Sequence, residues 1–189
     1  MRHQIFTALA VLTVLILPGK THHAEAIIDC EPIGNAKPIC GFSNPEDMVA
    51  LPGDKAILIG EYGASAVATG RLLVLELDSE KHYSVFHGGQ GNATAEPGWG
   101  DPSCTTPPGD AFNSHGIDLV RRDDGRLQLL VVQHGSREAV ELFEVMGQGT
   151  NWQVEWRGCV PAPANASLNS VAAVSNGDFY TTQMVALST

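Results

Sequence analysis

An all-β fold, made of short strands in repeated four-stranded units, is the class this sequence predicts, and three observations predict it. Past Cys40 the chain is a succession of short apolar runs separated by Gly, Pro, Asn and Asp. No stretch carries the 3.6-residue apolar period of an amphipathic helix. The order of short strand, tight turn and apolar second strand occurs twice, and a third set begins with a turn of its own.

The first unit opens with Met48–Leu51, turns at Pro52-Gly53-Asp54, and continues through Ala56–Glu61, Leu72–Leu77 and Tyr83–His87. The second comprises Gly116–Val120, Leu127–His134, Val140–Val145 and Trp152–Trp156, with its turn at Asp123-Asp124-Gly125. A third begins at Leu168 and turns at Asn176-Gly177-Asp178. Pro, Gly, Asn and Asp suit these corners because they fix φ, tolerate positive φ or bond their own backbone. The first unit is lengthened by a Gly- and Pro-rich segment from Gly88 to Ala111, either a functional lid or a surface elaboration.

Self-similar four-stranded units of this kind are the building plan of a β-propeller. Residues 27–189 are therefore expected to form the N-terminal portion of a propeller domain: two blades and the first two strands of a third. A ring needs about four to eight blades, so closure calls for further strands or other chains. The 189-residue polypeptide alone is expected to be inactive and to expose unpaired edges. A β-sandwich is the alternative that the strand count permits.

Composition narrows the function. With 43% apolar and 17% charged residues the chain has enough to bury one core. Against 21 acidic residues it has only 11 Lys and Arg, a formal charge of -10, which leaves no basic footprint for nucleic-acid phosphates. A calcium-type cation suits it better.

The N-terminus reads as a secretory signal over residues 1–26. Met1-Arg2-His3 is basic, Ile5 to Leu17 is apolar, and Ala24-Glu25-Ala26 is an A-x-A cleavage site. The run is shorter than the roughly 20 residues of a spanning helix, and Pro18 breaks it. A secreted or periplasmic location follows, with no transmembrane span after cleavage. Cys30, Cys40, Cys104 and Cys159 then become disulfide candidates in one of 3 pairings, of which Cys30 with Cys40 and Cys104 with Cys159 is the simplest. Asn92-Ala93-Thr94 and Asn165-Ala166-Ser167 fit the N-glycosylation pattern.

Aligning the starts of the inner strands superposes Glu46-Asp47, His115-Gly116 and Asn169-Ser170. In a propeller such positions converge on the central channel. Glu46, Asp47 and Asn169 offer the hard oxygen ligands that calcium prefers, although an acidic turn cap and a self-bonded Asn are common structural uses of the same residues. His115 and His134 flank the turn of one hairpin. At one rim they would form a dyad in which one imidazole takes a proton from water and the other orients it; otherwise they are polar strand ends. His82 and His87 are assigned to the surface.

Phe112-Asn113-Ser114-His115-Gly116-Ile117, Leu130-Val131-Val132-Gln133-His134, Ala139-Val140-Glu141-Leu142-Phe143, Pro45-Glu46-Asp47 and Leu168-Asn169-Ser170-Val171-Ala172-Ala173-Val174 together resemble the paraoxonase/arylesterase family, most of all its exported bacterial-type members. Similarity extends more broadly to gluconolactonase-like propellers. The resemblance implies a six-bladed propeller with two calcium ions in its tunnel, hydrolysing lactones and aryl esters. By position, Glu46 and Asn169 match ligands of the catalytic calcium, Asp47 matches a ligand of the structural calcium, and His115 and His134 match the dyad. Ser170 departs from the Asp usual beside the ligating Asn, and Gln133 from the Asn common before the second histidine. The other class of function open to such a fold is a non-catalytic exported propeller that binds a partner or ligand through its top face.

Overall fold

The computed structural model describes residues 30–63, 69–90 and 93–184. The expected signal segment and Asn92 lie outside them. The chain divides into two compact units, Met1–Ile39 and Cys40–Thr189. In the first, the described residues include one isolated bridge between Ile33 and Ala36, turning on Gly34 at φ 60°.

The second unit holds ten strands: β1 (Pro45–Ala50), β2 (Ala56–Glu61), β3 (Arg71–Glu76), β4 (His82–His87), β5 (Ser114–Arg121), β6 (Leu127–Gln133), β7 (Ala139–Gln148), β8 (Asn151–Pro161), β9 (Leu168–Ala173) and β10 (Phe179–Gln183). They form two four-stranded antiparallel meanders, β1-β2-β3-β4 and β5-β6-β7-β8, and the hairpin β9-β10. Among the described residues there is no helix, and no sheet closes on itself. The all-β expectation holds, with β8 running on to Pro161, beyond the expected Trp156.

One tight turn occurs three times and sets the register of the units. The amide of Asp54 bonds the carbonyl of Leu51, Gly125 that of Arg122, and Gly177 that of Val174. Gly125 and Gly177 take φ of 88° and 97° there, which a side chain would strain. Leu51, Arg122 and Val174 are therefore equivalent, so Glu46-Asp47 stands in register with Ile117-Asp118 and with Asn169-Ser170. The sequence alignment had His115-Gly116 in that place, two residues off. The reason is that β5 has 8 residues against 6 in β1 and β9, and its pairing with β6 breaks register between Ser114 and Ile117.

The sheet β5–β8 is buried on both faces. Leu129, Val131, Phe143 and Trp156 pack against Leu58, Leu72, Val74 and Phe86 of the first sheet. Leu130, Val132, Val140 and Leu142 pack with Leu168 and Val171 of β9 and with Trp99. That two-sided burial is why Leu129-Leu130-Val131-Val132 is continuously apolar, each side chain contributing about 1.5–3 kcal/mol of transfer free energy. Inner strand β5 lies between β1 and β9.

The Gly- and Pro-rich segment is a cover for the edge strand β8. The Glu96 amide bonds the Arg157 carbonyl at 2.7 Å, and the Asp101 amide that of Cys159 at 2.8 Å. Cys104 is joined to Cys159 by a disulfide, and buried Trp99 lies 4.6 Å from both Arg122 and Arg126 guanidinium groups. An unpaired edge is thereby masked. Cys30 and Cys40 are disulfide-bonded as well, and no free cysteine remains among the described residues. Such pairing belongs to an oxidising environment.

Candidate functional site

The starts of β1, β5 and β9 meet around a cavity of about 250 Å³ lined by Glu46, Asp47, His115, Gly116, Asn169 and Ser170. All three oxygen-ligand candidates and one of the two histidines thus share a single space. His115 lines it despite the two-residue offset, within the register break between Ser114 and Ile117.

His115 Nδ1 lies 2.9 Å from the carbonyl oxygen of Asn169. A carbonyl only accepts, so Nδ1 carries the proton and the neutral ring keeps its lone pair on Nε2. That nitrogen faces Glu46 Oε2 at 3.6 Å. Glu46 also accepts from Asn44 Nδ2 at 3.3 Å. Asp47 is more committed: Oδ1 accepts the Met48 amide at 2.8 Å and Oδ2 the Ile117 amide at 2.9 Å. The backbone of β9 passes close to β5 here because Gly116 has no side chain: a Cβ would stand only 2.6 Å from the Asn169 carbonyl oxygen.

His134 follows β6 directly, at the end of the β5-β6 hairpin remote from its turn. Its amide bonds the Asn113 carbonyl at 3.2 Å, and Gln133, buried beneath, accepts the Gly135 amide. The ring is 10% exposed and stands 5.2 Å from that of His115, edge to face. Tyr62 completes a cluster, 6.2 Å from each imidazole. Nδ1 of His134 is 2.7 Å from Glu138 Oε2, while its buried Nε2 has no hydrogen-bond partner. The two histidines therefore come together, as expected of a dyad. Of the others, His87 is exposed, but His82 is half-buried and stacks on Phe42 at 4.7 Å, where a surface position was expected.

Sequence reasoning missed Glu138, Tyr62 and Asp118. Glu138 sits four positions beyond His134, and that spacing across a tight connection was the available signal. Asp118 repeats Asp47 once the register is corrected.

Two carboxylates, an amide and a hydroxyl line the cavity, and oxygen donors of this kind suit a hard cation such as calcium. In type they fit; in number they fall short of the roughly six to eight oxygens calcium takes, leaving places for water or other groups. Among the described residues no three His, Cys, Asp or Glu side chains gather as a metal cluster by themselves. Fold and site together define an all-β protein with paired imidazoles beside an oxygen-lined cavity. Compared with known proteins, the chain matches no family model and no curated protein.

Proposed function

We propose that this chain contributes half the centre of a calcium-dependent hydrolase of lactones and aryl esters, exported and built as a β-propeller. The two meanders would be consecutive blades and β9-β10 the start of a third, their inner strands side by side. What carries the reading is the pair of imidazoles with ring centres 5.2 Å apart, each with Nδ1 engaged, one of which, His115, lines an oxygen-rich cavity.

Glu46 and Asn169 would hold the catalytic calcium and Asp47 a structural one; when bound, the ion supplies a positive charge that polarises an ester carbonyl and stabilises the oxyanion. His115, anchored through Nδ1, takes the proton of the attacking water at Nε2. Glu46 Oε2 stands 3.6 Å from that nitrogen. His134 assists by packing edge to face against the first ring, and Tyr62 stands 6.2 Å from both.

The alternative is a non-catalytic exported propeller that binds a ligand at this face, and the engagement of both Asp47 oxygens favours it: that group already works as a structural tie. Turnover separates the two. Activity is assigned to the closed ring, so a lactone and phenyl acetate are assayed with the ring complete, in calcium, after chelation and in His115→Gln. Losses of about 100-fold or more are expected on chelation and on substitution. Equal rates in all three conditions overturn the hydrolase.

A further inference from the structure

We infer that Glu138 is the positioning residue of His134, and that the first two residues of β9 set the proton positions of both imidazoles. Glu138 uses both carboxylate oxygens: Oε2 meets His134 Nδ1 at 2.7 Å and Oε1 accepts the Leu168 amide at 2.6 Å. Its own carbonyl accepts the Ala162 amide at 2.9 Å, so the residue is fastened at three points. An ionised carboxylate only accepts, so the neutral His134 ring carries its proton on Nδ1 and leaves Nε2 bare.

The next residue of β9, Asn169, fixes His115 in the same form through its carbonyl. Leu168 and Asn169 thus act as one ruler, the former through Glu138 and the latter directly. Both rings present Nε2 to their surroundings and neither presents Nδ1. A buried nitrogen lone pair without a partner is costly, and here His134 Nε2 is held in that condition by a carboxylate whose place is set 30 positions away. Carboxylates behind imidazoles fix tautomer and ring orientation in just this way.

The inference depends on the hydrolase reading only for what Nε2 does, and its test does not. The chain is labelled with ¹⁵N-histidine, and two-bond ¹H–¹⁵N correlations are recorded at a pH where the imidazoles are neutral. His115 and His134 are both expected as Nδ1–H tautomers. In Glu138→Ala, His134 is expected to move to Nε2–H while His115 stays. Nε2–H at His134 in the unsubstituted chain overturns the inference, and that spectrum stands whether or not the variant folds. An unchanged His134 tautomer in a folded Glu138→Ala overturns it too. In the closed ring, the isosteric Glu138→Gln is expected to lower kcat by about ten- to a hundredfold with KM little changed. Absence of any turnover in the unsubstituted protein would remove the hydrolase and leave the tautomer result to decide Glu138.

Discussion

Asp47 and Asp118 each accept the amide of the following residue and one amide of the next strand, Asp118 at Ala173 rather than at Asn169, the counterpart of Ile117. Asp47 accepts the amide of the residue after it and, with its second oxygen, the Ile117 amide of β5 at 2.9 Å. Asp118 accepts the Leu119 amide at 2.9 Å and the Ala173 amide of β9 at 2.8 Å. Inner strands of separate sheets do not pair as a ladder, so their facing amides need another acceptor, and a carboxylate one strand over provides it. The next position in register is Ser170, too short to continue the chain of ties.

Replacing Asp118 by Ala is expected to cost about 2 kcal/mol, the usual worth of hydrogen bonds to a charged group. The loss is local. Hydrogen exchange of the β9 and β10 amides is expected to accelerate while β1 to β4 keep their protection. Asp47→Ala does the reverse, loosening β1 against β5. Equal acceleration throughout in both variants would mean that the ties are not specific to the strands they join.

The Cys104–Cys159 bond closes a stretch of 55 residues. The chain-entropy account gives such a link about 4 kcal/mol by restricting the unfolded state. A Cys104→Ala, Cys159→Ala double variant is expected to unfold at lower urea, measured by equilibrium denaturation against the oxidised protein. Identical midpoints would show that the segment over β8 is held instead by Trp99 between its two arginines.

The all-β class and the strand positions were legible because turn residues bracket apolar runs, and two-sided burial writes itself as a continuous apolar string. The meeting of the starts of β1, β5 and β9 was legible too, since repetition brings them together, although His115 was aligned with Glu46 and Asn169 two residues out of register. Asp118 was not, because the register break in β5 shifts the apparent alignment by two residues and hides its likeness to Asp47. Glu138 was hidden for a different reason: its second partner is a backbone amide 30 positions away, and backbone amides leave no mark in a sequence. The role of the Gly- and Pro-rich segment depends on carbonyls of β8, equally silent.

Glu144 and Glu96, held by Arg126, make stability depend on pH in the acid range. Hydrogen bonds from Arg126, with Arg157 adding to them against the opposing effect of burial, bring the Glu144 carboxyl down to about 2 from the ordinary 4.5. Glu96 is lowered by the same arginine. A carboxyl lowered by folding contributes stability that is whole above its unfolded value and disappears as pH falls through the folded one. The melting-temperature gap between the protein and Glu144→Gln is therefore expected to be full above pH 4.5 and to close toward pH 2. Glu141 does not share in this loss, since burial pushes its carboxyl up despite Arg137. A gap independent of pH would assign the effect to packing.

Gly116 is the point at which β5 passes against the backbone of β9. Its backbone needs no positive φ; what it needs is the absence of a side chain, because a Cβ would lie 2.6 Å from both the Asn169 carbonyl oxygen and the Ser170 Cα. Both obstacles are backbone, so Gly116→Ala forces β9 away from β5 at a cost of about 1–3 kcal/mol. The 2.9 Å bond from His115 Nδ1 to Asn169 is the first contact to go. His134 has its own carboxylate and is expected to keep its Nδ1–H form, whereas His115 loses its anchor and moves toward Nε2–H. The ¹⁵N-histidine spectrum of this variant should therefore change at one ring and not the other, the mirror of Glu138→Ala. Both tautomers surviving in a folded Gly116→Ala would show that His115 is held by something other than the distance between these two inner strands.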